Sequence, residues 1–237
     1  MIDFTWGPTG AARQGDGRRL VVVVDVLSFS TAASVVVDRG GSVVPFPSGD
    51  RSAARALAAE RGLTLAGRRD EGGLSLSPAS LLAAPAGTRL LLPSPNGSRI
   101  CAEASRHGAT VAVGCLRNAS AVARYARERF AAQDVCIVAA GERWPDATLR
   151  PAIEDELGAG AILDGLEGSF TPEADLVLST YRAVRERVAD LVRSSISGRE
   201  LRDRGFGADV DMALERDASP GVPILVDGEL VAARTIG

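Results

Sequence analysis

The 237-residue chain contains no lysine; all 27 of its basic residues are arginines. This removes Schiff-base chemistry and any phosphate loop that depends on its lysine. It has one histidine, His107. Clusters of the HExxH kind are therefore excluded, and a Ser-His-Asp triad would have to use His107 itself, with no GxSxG turn beside it. His107 precedes Gly108, a place where histidine commonly caps the last carbonyls of a helix. Aromatic residues make up only 4%, so Val, Leu and Ala must build the core. Cys101, Cys115 and Cys136 are odd in number and lack CxxC spacing, which points to reduced thiols in a cytoplasm. The apolar runs, such as Leu20–Val24, are strand-sized and far too short to cross a bilayer. Residues 1–10 lack the basic and apolar regions of a secretory signal. The net charge of −3 disfavours nucleic acid or an anionic membrane as a partner. Carboxylates, arginines, hydroxyls, amides and backbone N–H groups remain, a set suited to a hard cation and an anionic small molecule.

What is present is an alternation of strands and helices. Residues 19–26 form a continuous β-branched run, as expected of a strand buried on both faces. Further strands are expected at 42–45, 89–92, 110–113 and 135–139, with helices at 30–39, 50–61, 98–106 and 119–131. Residues 62–85 read as loop with one short helix. Short connections imply right-handed βαβ units, so the fold class is α/β, a mostly parallel sheet flanked by helices. A helical segment follows Pro151, including one long amphipathic helix over 173–193, then two short helices. A C-terminal hairpin over 223–234 turns at Asp227-Gly228. The chain reads as a single unit over 1–237, with a subdivision near residue 150 as the alternative. The stripe Leu176, Val177, Tyr181 and Val184 suits either self-association or burial within one chain.

In open α/β sheets, ligands bind beyond the carboxyl ends of strands. Four segments there are rich in polar and small residues: Asp25 with Ser30 and Thr31; Ser94-Pro95-Asn96-Gly97-Ser98-Arg99; Gly114 through Arg117 and Asn118; and Ala140-Gly141-Glu142-Arg143. The second opens a helix, whose first-turn N–H groups offer a phosphate seat with Ser94, Asn96 and Ser98, while Gly97 permits close approach. Taken singly, these are also ordinary turns and caps. Asp25 ends an otherwise apolar strand, which is costly unless the charge is paired or bound to a cation. Glu154-Asp155 begins a helix, where acids also complement the dipole. Together with Asp25 they offer the few oxygen ligands that Mg²⁺ takes. Asp209 and Asp211 form a third acidic pair at a helix start.

Several stretches together resemble the 2-phosphosulfolactate phosphatase family. They are Asp25-Val26-Leu27 with Ser30-Thr31, Ser94 through Ser98, Gly114 through Asn118, Ala139-Ala140-Gly141, Glu154-Asp155 with Ala159 through Ile162, Ser197-Gly198, Asp209-Val210 and Val222-Pro223. The resemblance implies Mg²⁺-dependent hydrolysis of a small acid's phosphate monoester. Asp25, Glu154 and Asp155 would hold the metal, with Asp25 and Asp155 at the reaction itself. Ser30, Thr31, Ser94, Asn96, Gly97, Ser98 and Asn118 would lie at the substrate, and Arg99 or Arg117 would neutralise a second anionic group. The attacking group is then either a metal-activated water or a carboxylate. The chain departs from the family at Ser28, where an arginine is usual; at Ser75-Leu76-Ser77-Pro78, where Gly-Asn-Ser-Pro is typical; and at Gly158, often a cysteine. The alternative function is a non-catalytic binder of a phosphorylated metabolite. A dinucleotide enzyme lacks its GxGxxG after a strand.

Overall fold

The computed structural model describes residues 1–13, 19–131 and 134–233. Its centre is strand β2 (Leu20–Val24), five aliphatic residues with no exposed surface. Valine suits this place because its branched Cβ packs well on a pleated surface covered from both sides. Strands β6 (Thr110–Gly114) and β7 (Val135–Ala139) flank β2 in parallel, and β1 (Asp3–Trp6) extends the group beyond β7. A second parallel group contains β3 (Ser42–Phe46), β5 (Arg89–Pro93) and the short β4 (Thr64–Leu65).

The C-terminal hairpin, β10 (Pro223–Val226) and β11 (Glu229–Ala232), lies between the two groups. β10 pairs antiparallel with β6, and β11 antiparallel with β3. The full order is β1-β7-β2-β6-β10-β11-β3-β5-β4. Passing from β6 to β3 therefore reverses direction three times, and the second group runs opposite to the first. Asp227 and Gly228 turn the hairpin with φ of 50° and 82°, the left-handed pair that a tight turn of this hand requires. A separate two-stranded ribbon is formed by β8 (Glu142–Arg143) and β9 (Leu149–Arg150).

Helices cover both faces. Val21 and Val23 face a core shared with α1 (Gly7–Ala12), α2 (Phe29–Asp38) and α5 (Gly97–Arg106). Val22 and Val24 face α6 (Ala119–Arg129), α7 (Ile153–Asp164) and α8 (Pro172–Val184). Helix α3 (Arg51–Arg61), capped by Asp50, covers Val44 and Leu91 of the second group. Helix α5 touches β3 as well as β2 and β6. Its first residue, Gly97, bonds Asp25, so the chain after β5 meets the chain after β2, although the two strands belong to opposed halves.

The expected α/β class and most elements are present, with four differences. β1 and α1 were not expected, because residues 3–12 are too short and too rich in Gly and Pro to show a period. The second half-sheet is reversed by the inserted hairpin, a long-range pairing that local pattern does not encode. Residues 173–193 are not one helix. The chain breaks at a 3₁₀ turn, Arg185–Arg187, before α9 (Val188–Ser194), and this turns Val188 and Val192 into the core. Val177 and Tyr181 are buried within the monomer and Leu176 alone is widely exposed, so the stripe is mostly core. Residues 62–85 hold β4, one 3₁₀ turn (Arg69–Glu71) and α4 (Pro78–Leu81). Two short helices follow α9: α10 (Ile196–Asp203) and α11 (Gly207–Ala213). Arg234, the last residue assigned to the hairpin, lies outside the described residues. Among the described residues no helix is long and apolar enough to cross a membrane.

The hairpin's place in the sheet makes a simple prediction. Leu230 is fully buried and pairs with Val43, whereas Val226 is 46% exposed. Leu230→Ala should cost about 2–5 kcal/mol in chemical denaturation, and Val226→Ala no more than about 0.5 kcal/mol. Equal effects would place the hairpin outside the cooperative unit.

Candidate active site

Asp25 leaves β2 into a loop whose backbone is tied down on every side. Its own N–H donates to Ser30 Oγ (2.9 Å), and Ser30 Oγ donates to the Val23 carbonyl (3.2 Å). Thr31 Oγ1 donates to the Val26 carbonyl (2.8 Å). The Asp25 carboxylate accepts from two helix starts: Oδ1 from Phe29 N of α2 (3.3 Å) and Oδ2 from Gly97 N of α5 (2.9 Å). Helix N-termini favour anions, through both the free N–H groups and the dipole. Asp155, in the first turn of α7, behaves similarly. Its Oδ1 accepts from Val26 N (2.7 Å) and its Oδ2 from Gly141 N (2.9 Å). Three loops, after β2, β5 and β7, are thereby joined through two carboxylates.

The electrostatics are unfavourable without a cation. Asp25, Glu154 and Asp155 are all buried. The Asp25 pKa stands raised to about 6, by burial first and by Glu142 and Glu154 besides, against the N–H groups of Gly97 and Phe29. Asp155 is raised well above the ordinary carboxylate value by burial, then by Asp25 and Glu154. Asn96 Nδ2 donates to Glu142 Oε1 (3.0 Å), which brings a fourth acid to the edge of the group. Glu154 accepts no hydrogen bond from any described residue, although it is only 3% exposed.

These residues fit a cation of a particular kind. Among the described residues no three His, Cys, Asp or Glu side chains come together as a metal-holding group. The expected set of Asp25, Glu154 and Asp155 is thus not a closed three-ligand cage, because both aspartates turn their oxygens to backbone N–H groups. A buried acid with no donor beside two acids that resist ionisation still calls for positive charge. Mg²⁺ takes one or two carboxylates and keeps water and substrate oxygens for the rest, which suits this arrangement.

The other expected residues separate into those at the cluster and those serving the scaffold. Gly97 lies against the Phe29 ring; a Cβ there would meet Phe29 Cδ1 at 2.2 Å and Asp25 Oδ2 at 2.9 Å. Its N–H is given to Asp25, so the start of α5 seats a carboxylate first. Ser94 is buried, and its hydroxyl has no hydrogen-bond partner among the described residues. Asn96 and the exposed Arg99 line a recess of about 190 Å³ with Pro8, Thr9, Glu142 and Arg143. By contrast, the Ser98 hydroxyl donates to the Leu92 carbonyl (3.3 Å). The Asn118 side chain is fully engaged with Cys115 N, the Val113 carbonyl and the Gly221 carbonyl. Arg117 is buried against the Glu215 carboxylate and the Met212 carbonyl. No contact brings Arg117 or Asn118 to the carboxylates; they fasten the end of β6 to the chain leading into the hairpin. His107 sits at the end of α5, 3.6 Å from Glu103.

A model of the 2-phosphosulpholactate phosphatases matches residues 9–228. The chain belongs to this family. A 2-phosphosulfolactate phosphatase of Methanothermobacter thermautotrophicus is 32% identical over 223 residues, covering 91% of this chain and 90% of that protein. Proteins named probable 2-phosphosulfolactate phosphatases are 28% identical in Deinococcus radiodurans, covering 90% of both chains, and 30% identical in Thermus thermophilus, covering 87% of both.

The departures from the family pattern have local physical settings. Gly158 presses on β2 and the residues after it, where a Cβ would stand 2.6 Å from Val26 Cγ2 and 3.0 Å from Val24 Cγ1; this packing has no room for a larger side chain. Ser28 Oγ accepts from Arg69 Nη2 (2.6 Å). Asp209 is buried in α11 and accepts from Arg69 Nε (3.2 Å), Ser77 Oγ (2.5 Å) and Ala79 N (3.3 Å). Sequence reasoning missed Arg69 and Glu142 as site residues. Glu142 did stand in a recognised post-strand loop; Arg69 lies in a segment without a period, and only its partner Asp209 carried a signal.

Two outcomes follow. Gly97→Ala must move the Phe29 ring or the α5 start, so it should destabilise the protein by about 1–3 kcal/mol; Gly49→Ala, with open space around it, should not, and denaturation curves would show the contrast. The second concerns pH. Asp25 and Asp155 have folded pKa values above the unfolded carboxylate value, so the native state binds more protons and stability falls as pH rises through about 6. In chelator, Tm should be higher at pH 5.5 than at pH 7.5, and the difference should shrink in Asp25→Asn. A wild-type Tm unchanged between the two would remove the buried-acid account.

Proposed function

We propose that this protein hydrolyses the phosphate monoester of a small acid, 2-phosphosulfolactate or a close relative, with Mg²⁺ as cofactor. The observation that carries this reading is the buried Asp25–Glu154–Asp155 group beside a small recess lined by Asn96 and two arginines. Membership of the family supports the substrate class. The recess suits a small ligand, because sites for drug-sized molecules are roughly 300–1,000 Å³.

Asp25 and Glu154 are the groups to hold the cation, with Asp155 behind them. When bound, Mg²⁺ supplies positive charge that offsets the charge on phosphoryl oxygens. The chain's own residues supply the remaining functions. Ser94 Oγ, which bonds no described residue, and Asn96 fix the phosphate, and the Arg99 and Arg143 guanidinium groups balance its charge. Without the metal, burial raises the Asp25 pKa to about 6; a bound cation would favour the ionised form, ready to accept a proton from a reacting oxygen. The two helix starts hold its carboxylate in one orientation throughout. The buried, unpaired cysteines Cys101, Cys115 and Cys136 accord with work in a reducing cytoplasm.

Phosphate release from phosphosulfolactate and phospholactate, with Mg²⁺ or with chelator, tests the reading. Release should require the metal, and Asp25→Asn should lower kcat by about 10²-fold or more. Folded wild-type protein that releases no phosphate from either substrate would sink the hydrolase reading.

A further inference from the structure

Arg69 stands apart from the machinery above. It comes from the irregular segment between α3 and α4, yet its guanidinium reaches the loop that carries Asp25. Nε donates to Asp209 Oδ2 (3.2 Å), and Nη2 donates to Ser28 Oγ (2.6 Å) and the Leu76 carbonyl (3.3 Å). An arginine has five N–H donors; these bonds use three, and the two on Nη1 meet no described residue. Only 14% of the side chain is exposed. The guanidinium lies 5.6 Å from the centre of the Phe206 ring, and Arg204 lies 5.5 Å from the same ring. Asp209 is itself fixed by Ser77 Oγ and Ala79 N. Arg69 is thus a largely desolvated guanidinium held through Nε and Nη2, with Nη1 meeting no described residue and a second guanidinium nearby.

Its placement is informative. Ser28 is next in sequence to Phe29, whose N–H binds Asp25 Oδ1. The charges of Arg69 and Asp25 interact with each other. The phosphate seat described above meets Asp25 at its other oxygen, Oδ2, through Gly97 N. Building on that reading, we propose that Arg69 is a specificity-determining residue whose free Nη1 edge holds a second anionic group of the substrate, a carboxylate or sulfonate. A monoester lacking that group gains nothing from Arg69. Nε and both Nη2 hydrogens are already bonded, so Nη1 offers a charged N–H bond whose direction those three contacts fix, which a flexible point charge would not supply.

Equilibrium binding in Mg²⁺ tests this with two non-hydrolysable probes, the phosphonate analogues of 2-phospholactate, which has a carboxylate, and of methyl phosphate, which does not, each named below by its parent ester. Wild-type protein should prefer 2-phospholactate. Arg69→Met alone would leave Asp209 buried and unpaired, so the variant of choice is Arg69→Met with Asp209→Asn. It should raise Kd for 2-phospholactate by about 10- to 100-fold, the worth of a charged hydrogen-bond pair, with methyl phosphate changed by less than about twofold. Arg69→Lys keeps the charge opposite Asp209 but removes the fixed Nη1 donor, and should show the same selective loss at smaller size. Equal weakening of both probes would make Arg69 a clamp for the 68–79 segment and overturn the assignment. So would a wild type with no preference. Arg69-dependent preference without phosphate release would instead overturn the hydrolase reading and leave Arg69 as assigned.

Discussion

Two buried carboxylates hold this molecule's loops in register, and most of the site follows from how they do so. Asp25 takes N–H groups from the starts of α2 and α5; Asp155 takes them from the loops after β2 and β7. Each bond offsets part of the cost of burying an acid, but the acids also repel one another. The result is a structure that specifies loop positions strongly while remaining electrostatically incomplete. The proposed cation would complete it. On that proposal structure and function are not separable, since the groups that bring the loops together would also hold the metal.

This accounts for the division between site and scaffold residues. A side chain can donate to an anion only if some N–H or O–H is left once the loops are joined. Among the described residues Ser94 and Arg99 meet that condition, and Ser98, Thr31 and Asn118 do not. All five occur in similar post-strand contexts. Type and position suggested the same role for each, and hydrogen-bond partners alone distinguish them.

The fold was largely legible in the sequence, because short β-branched runs alternate with amphipathic segments at regular spacing. Asp25 was legible for the same reason, as a charge closing an apolar strand. What was hidden depends on distant pairing. Nothing near residues 223–232 says that they enter the middle of the sheet, and nothing near Arg69 says that Asp209, 140 residues away, will draw it to Ser28. The break at Arg185–Arg187 was hidden differently: helical periodicity continues through it, and only the packing of Val188 and Val192 makes the turn worthwhile.

The inserted hairpin has a consequence for how the chain is made. The two half-sheets are complete by residue 139, but the strands that join them are among the last described residues. A chain emerging from its N-terminal end therefore carries, for some eighty residues of synthesis, two unsatisfied strand edges at β6 and β3, each a template for pairing with a neighbour. The helices made in that interval, α7 through α11, cannot cap those edges by hydrogen bonding. Only the final turn at Asp227-Gly228 closes the sheet, so the chain's exposure to misassembly ends with its last strands.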